Sequence, residues 1–238
     1  MTLKFPEECI QNLINPDGWW VKDTSKEVSR GRLIQAYVPH VGPIPNRLSP
    51  IGRTEAEVHT SAKFEIVPFR YGEPKKHLSL PVAALPAFPN EEWLVYRVKR
   101  RPLLVIANNS LEVEKQLVLG KPKWQTAPTL LVAPYYGRDE GTGTRSGFSD
   151  AFVERVRQCE YPQFFWDMLP LIGADESIMR LDHIQPVGNH HDTYGLTDYR
   201  LSDDALMLLD EWVNWYIFEC LDENSILAYA MKTLQRQD

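Results

Sequence analysis

Two short runs in this chain, Pro102 to Ala107 (PLLVIA) and Thr129 to Tyr135 (TLLVAPY), are apolar at successive positions instead of alternate ones. Successive residues of a strand point to opposite faces, so such runs have to be covered on both sides. They are expected as central strands, and the rest of the chain must supply the layers over them. Arg32 to Val38 (RLIQAYV) reads as a strand stopped by Pro39, and Lys63 to Phe69 as a half-buried strand with Pro68 near its end. Trp93 to Val98, Phe164 to Leu169 and Ser177 to Val187 read as further strands. The Pro- and Gly-rich passage VGPIPNRLSPIG, residues 41–52, is expected to be irregular.

Three helices are expected. Pro6 opens a short one, PEECIQNLI, ended by Asn15-Pro16-Asp17-Gly18. Ser149 with Asp150 caps AFVERVRQC. Ser202 caps the last, ALMLLDEWVNWYIF, with Asp203 and Asp204 in the first turn where the helix dipole favours acids. Its apolar stripe is Ala205, Leu208, Leu209, Trp212, Val213 and Tyr216. Strands, one inserted helix, more strands and a closing helix make an α+β chain with an antiparallel sheet.

At 238 residues, 43% hydrophobic and 24% charged, the chain has a globular composition and needs no staples. Cys9, Cys159 and Cys220 are odd in number and far apart, which fits a reducing compartment and supplies no CxxC metal pattern. No apolar stretch reaches eighteen residues and the N-terminus is too polar for a signal peptide, so a cytoplasmic protein with no membrane partner is expected. The net charge of −6 argues against nucleic acid only until it is located. Residues 197–238 hold nine acids and three bases, which accounts for all of it, and residues 1–196 are neutral. Residues 47–101 carry ten bases against six acids, with Arg97, Lys99, Arg100 and Arg101 in five positions, so a basic face is open to the fold.

Among the histidines only His183, His190 and His191, with Asp192, cluster in sequence, and a polar turn explains GNHHDTYG as well as a metal does. No metal and no cofactor is expected. The glycine-rich stretch GRDEGTGTRSG lacks the strand–GxGxxG–helix context of a phosphate cradle and reads as a loop. There is no GxSxG, and Cys9 and Cys220 sit in helical segments where burial is the ordinary role. Arg180 and Asp182 fall on one face of the 177–187 strand. That pair is either a surface salt bridge or a phosphate clamp beside a proton-transfer carboxylate.

Several segments together resemble the PemK/MazF-type toxins, the ribonucleases of toxin–antitoxin pairs. Arg30-Gly31 with RLIQAYV resembles the opening strand, Arg101-Pro102-Leu103-Leu104-Val105-Ile106 the RPVLVI strand, and TLLVAPYY the strand after it. Glu176 to Gln185 (ESIMRLDHIQ) and the segment from Gly195 through the closing helix resemble the remainder. The resemblance implies an SH3-like antiparallel barrel in a single domain spanning 1–238. It would carry an N-terminal helical extension over 1–29 and a large insertion over 43–96. It also implies metal-independent cleavage of single-stranded RNA by attack of the 2′-hydroxyl, a homodimer, and a cognate antitoxin or other regulatory protein as partner. On that likeness Arg180 holds the phosphate, Asp182 is the base and His40 the acid or a positioning group. Arg101 assists, Tyr136 stands where the family usually has Thr, and Arg97, Lys99 and Arg100 would bind RNA. An inactive barrel serving as a regulatory protein-binding module is the other reading.

Overall fold

The doubly apolar runs form the middle of a curled antiparallel half-barrel sheet. The computed structural model describes residues 3–73, 88, 90–109, 111–138, 148–172 and 176–235, in two compact units: residues 1–37 with 100–238, and residues 38–99. In the first unit the strands are β1 (Trp20–Lys22), β2 (Arg32–Pro39), β6 (Val98–Ala107), β7 (Thr129–Gly137), β8 (Phe164–Met168), β9 (Glu176–Arg180), β10 (Gln185–Gly188) and β11 (Tyr194–Leu201). Both β2 and β6 run on at one end into the second unit. The sheet order is β1-β11-β2-β6-β7-β9-β8, with β10 also on β7. The helices are α1 (Ile10–Ile14), α2 (Asp150–Arg157), α3 (Asp203–Phe218) and α4 (Ile226–Leu234).

Both faces of the central strands are covered, as their composition requires. Leu33, Leu104, Ile106, Ala133, Tyr135, Met179 and Phe165 join one buried cluster with Leu208, Leu209 and Trp212 of α3 and Leu227, Ala230 and Leu234 of α4. Their alternates Ile34, Ala36, Leu103, Val105, Leu130 and Val132 are buried as well. Behind β8 and β9, Trp166 and Ile178 pack against Val153 and Val156 of α2 and against Cys9. Ser149 and Ser202 cap α2 and α3 through Phe152 N and Ala205 N, each at 3.3 Å.

Several local expectations need correcting. The first helix spans five residues from Ile10, well after Pro6. The N-terminal stretch buries Ile10 and Trp19 in the main cluster, with Trp19 stacked on Phe165 at 6.1 Å. Residues 41–52 are not irregular throughout, because β3 (Asn46–Gly52) lies within them. In the second unit it pairs with β4 (Lys63–Pro68) over its length but with β5 (Leu94–Val95) only at Asn46 and Arg47. Pro50, lacking an N–H, therefore sits where one side of the strand is open. That unit contains the whole of the 43–96 stretch and buries a charged group, Arg47, with Glu92 at 3.3 Å and Glu73 at 3.7 Å. Most of the glycine-rich loop, residues 139–147, lies outside the described residues. Among the described residues no helix is long and apolar enough to cross a membrane.

The Arg30-Gly31 pair at the head of β2 is a joint between layers. Gly31 has φ +78°, and a Cβ on it would meet Leu206 Cδ2 of α3 at 2.7 Å. Its N–H donates to Val105 O at 2.8 Å, and its own carbonyl accepts from Leu201 N at 2.9 Å. Arg30 donates to Ile106 O at 2.9 Å and to Asp210 of α3 at 3.0 Å. We expect Gly31→Ala to cost about 1–3 kcal/mol through left-handed strain and the clash with α3, read as a fall of several degrees in Tm.

A carboxylate is buried in the same core. Asp167 of β8 accepts from Tyr135 Oη at 3.2 Å, from the indole N–H groups of Trp19 and Trp20 at 3.4 Å, and from Met168 N at 2.8 Å. Burial outweighs these donors and pushes its pKa from 3.8 to about 7. An acid whose folded pKa is raised favours the fold only while protonated. Its contribution is therefore complete below pH 3.8 and is lost as the pH rises to about 7. Asp167→Asn should flatten the fall in thermal stability between pH 4 and 7, measured by calorimetry at several pH values.

Candidate active site

The site forms where the β7 ladder is interrupted. Met179 of β9 pairs with Tyr135, and Gln185 of β10 pairs with Val132. Six residues on one chain therefore advance against three on the other, and the excess is a single 3-10 turn, Leu181–His183. Pro134 gives a reason for the place. Arg138 N donates to Glu176 O of β9 at 3.1 Å, so by the alternation of an antiparallel strand residues 138, 136 and 134 turn their backbone groups towards β9. A proline at 134 has no N–H to offer there, and the partner chain leaves the ladder at that point. The strand expected over 177–187 is thus two strands and a turn. Asp182 does not share a strand face with Arg180; the turn folds it back onto Arg180.

The turn meets a row of side chains crossing the sheet. Leu103 of β6 pairs with Pro134, so two residues further out Arg101 and Tyr136 face each other. The buried Arg101 guanidinium lies 3.9 Å from the centroid of the Tyr136 ring. Arg180, at the end of β9, lies 5.9 Å from the same ring and 4.8 Å from Phe164, its partner on β8. Arg180 holds Asp182 with two hydrogen bonds, Nε to Oδ1 at 2.6 Å and Nη2 to Oδ2. His183 Nδ1 lies 2.6 Å from Tyr136 Oη, and its Nε2 lies 3.9 Å from Asp182 Oδ2.

The electrostatics follow from these contacts. Burial raises the Asp182 carboxyl, but the hydrogen bonds and charge of Arg180 overcome it and hold the pKa below 3.8. Burial, with the charges of Arg180 and Arg101, holds His183 below 6.5 against the pull of Asp182. Burial lifts the Tyr136 phenol above 10, opposed by the two arginines. At neutral pH the cluster therefore holds two guanidinium ions, one carboxylate, a neutral imidazole and a neutral phenol. The surplus is positive and suits an oxyanion.

Of the residues expected for catalysis, Arg101, Tyr136, Arg180 and Asp182 come together. His40 belongs to the second unit, where its N–H donates to Arg97 O at 2.9 Å. Arg97 and Lys99 are exposed in that unit also. Arg100, in the first unit, bonds Gln35 at the rim of a cavity of about 210 Å³ lined also by Tyr37, Asp192 and Tyr194. His190, His191 and Asp192 are exposed on the turn before β11, their ligand atoms within 4.8 Å of one another, and His190 Nδ1 already accepts from Asp192 N at 3.2 Å. The thiols offer no nucleophile in the core, since burial pushes Cys9 up to about 11 and Cys159 higher. His183 was missed as a site residue: strand alternation sets it opposite Arg180, and only the break at Pro134 could have warned that alternation fails there.

Compared with known proteins, the chain matches no family model, and no curated protein or solved structure is similar to it.

The two charges beside His183 act in opposite senses. Arg180→Gln should move its titration midpoint upward, because a repelling cation is lost and Asp182 is released. Asp182→Asn should move it down. Both are read from imidazole proton shifts in NMR titrations.

Proposed function

We propose that the protein is a metal-independent endoribonuclease acting on single-stranded RNA by attack of the 2′-hydroxyl on the adjacent phosphate. The observation that carries this reading is one phenol, Tyr136, with the guanidinium groups of Arg101 and Arg180 over its ring and an imidazole on its oxygen. A phosphorane needs cations for its developing charge and a group able to exchange protons near neutral pH, and those residue types adjoin here. In this reading Arg180 and Arg101 bind the phosphate, and Asp182 fixes the plane of the Arg180 guanidinium. Arg97, Lys99 and Arg100 are proposed to bind RNA as well. The resemblance to PemK/MazF toxins supports it through five matched segments, which lie on β2, on β6, on β7, on β9 with the turn after it, and on β11 with α3. An SH3-like barrel, a homodimer and an antitoxin partner belong to the same proposal.

A regulatory protein-binding module is the second reading, favoured by a different place in the fold. Between α3 and α4 a cavity of about 620 Å³ is lined by Phe218, Leu221 and Cys220 beside Glu211 and Asp222. A partner docking there would leave Arg180–Asp182 as a structural pair.

Purified protein, freed of any bound partner, should cut unstructured RNA in the presence of EDTA and leave 2′,3′-cyclic phosphate ends. Arg180→Ala should lower kcat/KM by about 100-fold or more. RNA left intact at high protein concentration would favour the binding module.

A further inference from the structure

We infer that His183 and Tyr136 form the proton relay of this site, His183 Nε2 taking the proton of the attacking 2′-hydroxyl and Tyr136 giving one to the leaving oxygen. The inference rests on the ribonuclease reading above and names the acid and base that reading lacks.

Elimination starts it. Both oxygens of Asp182 are engaged by Arg180, and the ion pair holds the carboxylate as a weak base. The remaining proton carriers among the described residues of the cluster are His183 and Tyr136, and they touch, Nδ1 to Oη at 2.6 Å.

The relay uses the Nδ1–H tautomer of His183, and that tautomer assigns the atoms. With Nδ1–H donating to the phenol oxygen, the lone pair of Nε2 is left to accept and the phenolic O–H is left to donate. Nε2 faces Asp182 Oδ2 at 3.9 Å, too far for a hydrogen bond but close enough to stabilise an imidazolium. The groups facing His183 are Tyr136 from β7, Arg101 from β6, Arg180 from β9 and its neighbour Asp182. The two arginines and burial keep the ring neutral, and so able to accept, at neutral pH.

The step balances without any other reactant. The 2′-O–H bond breaks as Nε2 takes the proton, O2′ bonds to phosphorus, and the P–O5′ bond breaks. O5′ takes the proton of Tyr136, and Nδ1–H refills the phenolate across the 2.6 Å contact. The imidazole ends neutral with its proton on the other nitrogen, and exchange with water resets it. Burial, which lifts the phenol, keeps Tyr136 protonated until the leaving oxygen demands the proton.

The test uses the full chain and two RNA substrates, one ordinary and one with sulfur in place of the leaving 5′-oxygen, which departs without an acid. His183→Asn keeps a polar group towards Tyr136 but cannot accept a proton, and it should cut both substrates about 100-fold or more slowly. Tyr136→Phe should be slow on ordinary RNA and recover most of the rate on the thio substrate. Wild-type kcat/KM should rise with pH, with a midpoint below 6.5 that coincides with the His183 titration seen by NMR. This profile needs no variant, so it decides the matter even where a substitution unfolds the chain. Cleavage by His183→Asn within threefold of wild type, or a midpoint of the rate profile that does not coincide with the His183 titration, would overturn the relay and leave the ribonuclease reading standing. Wild-type protein that leaves both substrates intact would overturn both.

Discussion

Pro134 has no N–H to give to the strand beside it, and the candidate site depends on that missing donor. Where the β7 ladder lacks a hydrogen bond, the neighbouring chain spends three extra residues in a 3-10 turn before β10 resumes pairing. Without the turn, Asp182 and His183 would take alternate faces of a continuous strand and could not both meet the Arg180–Tyr136 row. With it, Asp182 closes on Arg180 and His183 reaches the Tyr136 phenol. A defect in hydrogen bonding on one strand becomes a charged cluster on the next.

The rest of the first unit keeps that cluster in place. Two strands buried on both faces, β6 and β7, carry Arg101 and Tyr136 near their outer ends, where cover gives way to partial exposure. On the far face, the Trp19, Phe165 and Trp212 rings link the N-terminal segment, β8 and α3, with Phe165 and Trp212 4.7 Å apart. Arg32 is buried too, held by Asp23 and by Ser25 O at 3.1 Å. Its place is in the framework, where these contacts tie a basic residue internally. Asp167 is the cost within this core, a carboxylate that the fold tolerates best when protonated.

Strong local patterns were legible. The apolar runs gave β6 and β7, serine caps gave the starts of α2 and α3, and the stripe from Ala205 to Trp212 gave the buried face of α3. What failed did so where one rule overrode another. Pro and Gly in residues 41–52 suggested irregularity, but a proline on the open side of a strand costs no hydrogen bond, so β3 forms. Alternation over 177–187 suggested an unbroken strand, while the sign against it was Pro134, on the strand beside it and more than forty residues earlier. Helix α4 has its own signals in the sequence, the Ser225 cap and the apolar positions Leu227, Ala230 and Leu234 on one face, whereas the three-residue edge strand β1 carries too little periodicity and is set by packing. Four of the five residues named for catalysis converge: strand register brings Arg101, Tyr136 and Arg180 close, and the turn returns Asp182 to Arg180. His183 was hidden by the turn that makes it useful.

The central claim is that the turn delivers His183 and Arg180 to a single oxyanion position over Tyr136. A nucleoside 3′-phosphate, which cannot be cleaved, tests this directly when added while His183 is followed by NMR. The account predicts that the bound phosphate raises the His183 titration midpoint by adding a negative charge beside the ring, and that Arg180→Gln weakens the binding. A His183 titration unchanged at saturating nucleotide, or binding indifferent to Arg180, would contradict it.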